Sequence, residues 1–177
     1  MKPKVFVTRK IPESGLDLLK QYCQVRVYPE DNPIPRDELM DGVRWCNGLL
    51  CLLTDIIDKE VISANPNSRV IANYAVGFDN IDIKAATERN IAVTNTPEVL
   101  TDAVAEHTMA LMMALARRIP ESDRFTRAGK YQGWEPMLFL GRELKEKTLG
   151  VVGLGRIGTA VVERAVKGMG MNILYFD

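Results

Sequence analysis

The sequence has few of the residues and apolar runs that mark specialised classes of protein. It contains one histidine and three cysteines in 177 residues. Cys23, Cys46 and Cys51 lack the Cys-x-x-Cys spacing of redox and zinc sites, so we interpret them as reduced thiols packed in a core. The longest apolar stretches are far shorter than the roughly 18 residues of a membrane span. We therefore expect neither a metal site nor a membrane protein.

The sequence also has no excess of charge of either sign. Lys and Arg together number 23, as do Asp and Glu, so the formal net charge is zero. Proteins that bind nucleic acid need a surplus of positive charge against the phosphates, and we expect no such partner. The amino terminus enters a predicted strand without the shape of a signal peptide. Together with the reduced cysteines, this predicts a cytoplasmic protein.

Apolar runs and helical segments alternate through the first half of the chain. Five runs rich in Val, Ile and Leu are predicted as strands: residues 5–8, 25–28, 48–53, 70–73 and 91–94. Four segments between them are predicted as helices: residues 14–21, 36–43, 59–63 and 83–88. Because the apolar runs are mostly continuous, they fit strands covered on both faces. This order predicts an α/β fold with a doubly wound parallel sheet.

A long helix is predicted next, over residues 98–118, with Arg117 and Arg118 in its last turn. Six of its residues recur mainly at three- and four-residue spacing and form one broad apolar stripe: Leu100, Val104, His107, Leu111, Ala114 and Leu115. We interpret His107 as a packed helix residue in preference to a catalytic base. Residues 119–147 fit no sheet, and hold a charged helix (121–127) followed by an aromatic-rich segment.

A glycine-rich motif, Gly-x-Gly-x-x-Gly, lies at Gly153, Gly155 and Gly158. It is flanked by predicted strands and a helix: residues 148–152, 159–165 and 172–176. The second strand ends at Asp177, near the spacing of about 20 residues that dinucleotide sites have. Gly153 permits a tight turn, Gly155 lets a diphosphate approach the backbone, and Gly158 allows close helix packing. An acid at the strand end accepts hydrogen bonds from ribose hydroxyls and repels a 2′-phosphate, which favours NAD over NADP.

Two further loops follow predicted strands and are candidate substrate-binding edges. Thr54-Asp55 follows the third strand, and residues 74–80 follow the fourth. Ligands of open α/β sheets bind at the carboxyl ends of strands, and Gly77 is able to expose backbone N–H groups to a carboxylate. The alternative is that Asp55 and Asp79 cap helices or stabilise turns, and periodicity alone favours it.

Several motifs together resemble the D-isomer-specific 2-hydroxyacid dehydrogenases, most closely their glyoxylate/hydroxypyruvate reductase branch. They are residues 75–82 (AVGFDNID), 93–97 (VTNTP), 105–106 (AE), 116–118 (ARR), 133–136 (GWEP) and 147–158 (KTLGVVGLGRIG). The resemblance implies a flavodoxin-like substrate-binding domain over residues 1–97. It implies that residues 98–177 hold a linker helix, a dimerisation arm (about 119–147) and the first βαβ of an incomplete Rossmann NAD domain. The arm implies a homodimer in which Trp134 reaches toward the partner's active site.

The same resemblance implies the chemistry and the site residues. The family transfers a hydride between NAD and a small 2-oxo or 2-hydroxy acid, here glyoxylate or hydroxypyruvate. Leu52, Val76 and Gly77 match substrate-binding positions. Coenzyme contacts are matched by Val76, Val104, Gly153, Gly155, Arg156, Ile157, Gly158 and Asp177.

No position in this sequence matches the family's catalytic arginine, glutamate and histidine. We therefore expect the chain to be the N-terminal part of such a reductase and to be inactive by itself. The alternative is a non-catalytic module that senses NAD or mediates dimerisation.

Overall fold

The computed structural model describes residues 2–177, which form two compact units. The first unit ends at Pro97, and the second is Glu98–Asp177. Within residues 2–177, no helix combines the length and the apolar character that crossing a bilayer requires.

The first unit is a five-stranded sheet with four helices. Its strands are β1 (Lys4–Val7), β2 (Gln24–Val27), β3 (Gly48–Cys51), β4 (Val70–Asn73) and β5 (Ala92–Thr94). Its helices are α1 (Glu13–Tyr22), α2 (Arg36–Trp45), α3 (Lys59–Ser63) and α4 (Ile83–Glu88). All neighbouring strands are parallel, in the order β2-β1-β3-β4-β5. The predicted doubly wound, flavodoxin-like sheet is confirmed.

Apolar side chains cover both faces of this sheet, because alternate residues of a strand point to opposite faces. Phe6 and Leu49 belong to one buried cluster, and their neighbour Val7 belongs to another. Cys46 and Cys51 are buried, and burial raises the pKa of these thiols to about 11 and about 12. Both are free thiols that stay neutral at pH 7, so their predicted packing is confirmed. Cys23 is also free but only half-buried.

The second unit contains three helices and a two-stranded parallel sheet. Its elements are α5 (Thr101–Ala116), α6 (Ile119–Arg127), β6 (Thr148–Val152), α7 (Arg156–Met169) and β7 (Asn172–Phe176). The register of the sheet runs from Thr148 opposite Asn172 to Val152 opposite Phe176. The strand–helix–strand order predicted around the glycine-rich motif is therefore present. The sheet leaves Val152 89% exposed and Phe176 75% exposed.

The predicted bounds of several elements are wrong. The long helix spans 101–116 and not 98–118, because Glu98 (φ +73°) and Arg118 (φ +56°) have backbones that a right-handed helix excludes. Arg118 instead separates α5 from α6, which begins at Ile119 and not at residue 121. The third strand ends at Cys51 and not at residue 53, because the chain turns there.

The predicted buried face of α5 is also wrong. Ala105 and Met109 are buried, and they pack with Val161 and Ala165 of α7. Leu115 of the predicted stripe is 75% exposed. The side chain of His107 is exposed and makes no hydrogen bond within residues 2–177, so it is not the packed residue that we expected. The helix is apolar on more than one side, and periodicity therefore does not identify the side that α7 covers.

Candidate functional site at the sheet edge and the glycine-rich turn

The carboxyl ends of all five strands in the first unit meet at one edge of the sheet, because the strands are parallel. The loops after β3 (residues 52–57) and after β4 (residues 74–80) lie next to each other at this edge. A parallel bridge between Ile57 and Ile81 joins them, and Ile57 N donates to Asn80 O at 2.8 Å. The two predicted substrate-binding loops are thus brought together.

Asp55 fixes the loop that follows β3. It is 3% exposed, and its Oδ2 accepts hydrogen bonds from Thr8 Oγ1 at 2.5 Å and from Leu52 N at 2.8 Å. Asp55 is therefore a turn residue, as the alternative interpretation held. Asp79 is an exposed turn residue, and the helix caps in this region are instead Asp58 and Asp82.

Two asparagines order the loop after β4, and one of them, Asn80, joins it to the loop after β3. Asn73, which is 2% exposed, donates from Nδ2 to Gly77 O at 2.8 Å and to Asn80 Oδ1 at 3.0 Å. Asn80 donates from Nδ2 to Leu52 O at 3.1 Å and to Asp55 O at 3.0 Å. Sequence reasoning missed both residues. The available signal was a polar residue, Asn73, that closes an apolar strand.

The backbone of Val76 and Gly77 has its carbonyls bound and its N–H groups free. Val76 O accepts from Asn95 Nδ2 at 2.7 Å, and Gly77 O is bound by Asn73. Neither N–H has an acceptor in residues 2–177. Leu52 is half-buried on the adjacent loop. Two fixed, unpaired N–H groups beside an apolar side chain are a suitable site for a small carboxylate.

A cavity of about 210 Å³ lies next to the loop after β4. It is lined by Phe78, Ile83, Val93, Thr94 and Asn95. Its wall is mostly apolar, with the polar groups concentrated on Thr94 and Asn95. Asn95 thus both lines the cavity and holds the Val76 carbonyl.

In the second unit, each glycine of the motif has the geometry that its predicted task requires. Gly153 has φ +91°, a value that L-residues rarely adopt. A Cβ on Gly158 would lie 2.2 Å from Gly153 O, so only glycine lets α7 approach the turn this closely. A Cβ on Gly155 would meet nothing within 4 Å, so the space in front of it is open.

The first turn of α7 is uncapped. Gly155 is its N-cap and supplies no side chain, and the N–H groups of Arg156, Ile157 and Gly158 have no acceptor in residues 2–177. Free N–H groups and the positive end of the helix dipole favour an anion there. Nearby, Arg156 Nη2 lies 3.6 Å from Glu98 Oε1.

Asp177 reaches the glycine-rich turn. Its Oδ1 accepts a hydrogen bond from Leu154 N at 2.7 Å, which leaves Oδ2 without a donor in the described residues. Phe176 O is bound by Gly153 N at 2.8 Å, which ties the end of β7 to the same turn. The turn, the uncapped helix and the carboxylate fit the diphosphate and ribose of a dinucleotide. Val104, by contrast, is 37% exposed on α5 and does not belong to the turn.

No group of three or more His, Cys, Asp or Glu side chains in residues 2–177 is arranged to hold a metal ion. The polar atoms that the two sites offer are mainly backbone N–H groups and a single carboxylate. These are groups that bind anions and hydroxyls.

Comparison with known proteins gives a consistent result. The family model for the D-isomer specific 2-hydroxyacid dehydrogenase catalytic domain matches residues 5–174. A glyoxylate reductase of Thermococcus gammatolerans is 50% identical over 181 aligned residues, covering 100% of this chain and 54% of the relative. The chain thus spans about half the length of the curated relatives it matches.

Solved structures have the same fold. The TT0316 protein of Thermus thermophilus superposes with a TM-score of 0.92 and 43% identity, over 97% of this chain and 55% of that protein. A D-lactate dehydrogenase of Aquifex aeolicus, complexed with NAD and lactic acid, gives a TM-score of 0.80 and 25% identity. That match covers 98% of this chain and 51% of the other.

Proposed function

Because this chain belongs to the D-isomer specific 2-hydroxyacid dehydrogenase family, we propose that the whole protein is an NAD-dependent oxidoreductase of small 2-oxo and 2-hydroxy acids. Glyoxylate and hydroxypyruvate are the proposed substrates. The observation that carries the proposal is the glycine-rich turn, where the uncapped start of α7 faces open space at Gly155. The bound nicotinamide supplies or accepts the hydride at C2 of the acid.

The second unit binds the coenzyme. N–H groups of Arg156, Ile157 and Gly158 receive the diphosphate, helped by the helix dipole. Asp177 keeps one carboxylate oxygen free beside the turn, where it accepts a hydrogen bond from the adenosine ribose. Its negative charge repels a 2′-phosphate, so NAD is preferred over NADP.

The first unit binds the acid. The free N–H groups of Val76 and Gly77 hold the substrate carboxylate, and Leu52, half-buried on the adjacent loop, contacts the substrate. None of residues 2–177 takes the role of acid/base or of the polarising arginine, and His107, exposed on α5, is not assigned one. The 177-residue chain alone is therefore expected to show no steady oxidation of NADH with glyoxylate.

The arm, about residues 119–147, mediates a homodimer. Several of its apolar side chains are well exposed: Tyr131 54%, Trp134 81%, Met137 76% and Leu140 57%. Exposed apolar patches of this kind mark interaction surfaces. These side chains also favour the second candidate, a dimerisation or NAD-sensing module without catalysis. We assign the protein to the cytoplasm on the basis of its free thiols.

Gly155→Ala tests the coenzyme site directly. The new Cβ meets no protein atom within 4 Å and Gly155 has φ −68°, so the fold tolerates it, whereas a bound diphosphate needs that space. In the whole protein, we expect calorimetric titration to give micromolar NADH binding, and binding at least about tenfold weaker for the variant. Micromolar binding by the 177-residue chain alone would favour the sensing module. Gly168→Ala, in the same helix with nothing within 4 Å, is the control and should bind as wild type.

Two results would contradict the assignment. One is an absence of NADH binding by the whole protein, and the other is equal affinity of the whole protein with and without Gly155→Ala. Asp177→Ser should additionally reduce the preference for NADH over NADPH. NADH binding without any activity of the longer protein would favour the sensing module.

A further inference from the structure

The order of the strands creates a second candidate site in the first unit. β1 and β3 are neighbours, but the chain continues from β1 outward to β2 and from β3 in the opposite direction to β4. The connections after β1 and β3 therefore lead away in opposite directions, which is the topology of a switch-point crevice. Crevices at such switch points are where open α/β sheets bind ligands. The residues that face each other across this one are Arg9, after β1, and Thr54, after β3.

Arg9 has an incompletely bonded guanidinium group. Its Nη2 donates to Thr54 Oγ1 at 3.2 Å. Its Nε is buried and is the one buried side-chain nitrogen or oxygen in residues 2–177 that lacks a hydrogen-bond partner. No carboxylate oxygen of the described chain lies within 4 Å of this guanidinium. Arg36, by contrast, contacts both Asp58 and Glu60.

A buried N–H group without an acceptor is unfavourable, and native structures rarely keep one without a reason. The acceptor that Arg9 Nε lacks inside the chain is therefore supplied from outside it. A guanidinium offers several N–H groups in one plane, which matches the oxygens of a carboxylate or a phosphate.

The nearby carboxylate of Asp55 is already occupied. Its Oδ2 accepts from Thr8 Oγ1 and from Leu52 N, and its Oδ1 accepts from Thr54 Oγ1 at 3.4 Å. Thr54 thus accepts from Arg9 and donates to Asp55, and its hydroxyl orients the guanidinium without neutralising it. The charge of Arg9 stays available to a ligand.

We propose that Arg9 and Thr54 form a binding site for an oxyanion, a carboxylate or phosphate group, at the switch point between β1 and β3. Two sources of that group fit the site. One is a free small anion, and the other is the second anionic group of a 2-oxo acid, which rests on the proposed function. The loop that holds Thr54 also holds Leu52, so the crevice and the proposed substrate pocket share one loop.

Titration with inorganic phosphate tests the site without coenzyme or turnover. In ¹H–¹⁵N spectra at constant ionic strength, the Nε–H signal of Arg9 should shift with phosphate in the wild-type chain and not with chloride. Arg9→Gln should weaken phosphate binding at least about tenfold. Arg89→Gln removes the same charge at the C-cap of α4, at the opposite edge of the sheet, and should leave the affinity within twofold.

Thr54→Val provides a second variant, since Thr54 is exposed and its replacement does not disturb the core. It should weaken phosphate binding by roughly threefold, because the guanidinium loses its orienting acceptor. Equal phosphate affinity of the wild type and both variants overturns the proposal. An Arg9 Nε–H signal that does not shift with phosphate also overturns it, because water alone then fills the site. A lower melting temperature of Arg9→Gln without loss of affinity indicates a purely structural arginine and also overturns it.

Comparing the binding of 2-oxoglutarate with the binding of glyoxylate identifies the source of the oxyanion. If Arg9→Gln weakens binding of the dicarboxylate and spares glyoxylate, the site receives the second anionic group of a substrate. If it weakens phosphate alone, the site receives a free anion. Neither result depends on NADH, so failure of the coenzyme assignment leaves this test intact.

Discussion

At the scale of single residues, buried amides and carboxylates set the shape of the candidate substrate site. Asn80 joins the loops after β3 and β4 by two hydrogen bonds, and Asn73 fixes the loop after β4 by two more. The sequence indicates that these loops lie at the carboxyl edge, because that follows from strand order. It does not indicate which side chains bind across the edge, because the partners depend on the pairing of strands far apart in the chain.

At Asp58, the effect of an ion pair on stability can be separated from the effect of a helix N-cap. Its Oδ1 accepts from Val61 N at 3.0 Å at the start of α3, and its Oδ2 lies 2.8 Å from Arg36 Nη2. The hydrogen bond from Arg36 holds the pKa of Asp58 below its ordinary value. A carboxyl group with a lowered pKa stabilises the folded chain above its unfolded pKa of about 3.9 and loses this effect as the pH falls through the folded value.

We predict that Asp58→Asn, which keeps the cap, lowers the free energy of unfolding at pH 7 by about 0.5 kcal/mol, because the pair is partly exposed. Asp58→Ala also removes the cap and should cost about 1–2 kcal/mol. Urea denaturation at pH 7 and at pH 3 measures both. The gap between wild type and Asp58→Asn should narrow at pH 3, and an unchanged gap would exclude the ion pair as its cause.

At the scale of elements, the ends of helices were predicted less well than their presence. The ends of α5 are set by the positive φ of Glu98 and by the separation from α6 at Arg118. No pattern in the sequence marks these residues, since neither is glycine or asparagine. The covered face of α5 was mispredicted for a related reason: it depends on α7, which lies about 50 residues further along the chain.

Within α7, two glycines in one helix should respond in opposite ways to alanine. Gly158→Ala forces a Cβ against the backbone oxygen of Gly153 and should lower the free energy of unfolding by roughly 1–3 kcal/mol. Gly168→Ala meets no atom within 4 Å in a helical segment and should raise it by up to about 1 kcal/mol. Hydrogen exchange of the α7 amides measures both changes. Equal effects of the two substitutions would contradict the close contact at Gly158.

At the scale of the whole molecule, alternation of strands and helices was sufficient to predict the five-stranded parallel sheet and the βαβ order of the second unit. Both follow from chain-level rules about crossovers and covered sheets. Residues 119–147 were predicted to fit no sheet, and α6 with the irregular segment 128–147 agrees with that prediction.

Trp134 is the residue of the arm whose removal should matter most, because large exposed aromatics dominate the energy of interfaces. We predict that the chain sediments as a dimer and that Trp134→Ala weakens dimerisation at least about tenfold. Tyr22→Ala, on a side chain of α1 that is 67% exposed, is the matched control and should leave the dimer unchanged. A monomeric wild-type chain, or a dimer indifferent to Trp134, would rule out this interface.

Because its strands all run in one direction, the first unit has its candidate binding loops at the carboxyl ends of the strands and none at the amino ends. Every loop with an assigned task leaves the carboxyl ends, whereas the turn at Pro66 and Asn67, before the amino end of β4, is exposed and carries none. A fluorophore, purification handle or surface tether grafted onto that turn would stand a full strand length away from the crevice and the substrate pocket. The protein is thus suited to immobilisation through this turn, with the carboxyl ends of the strands facing the solution.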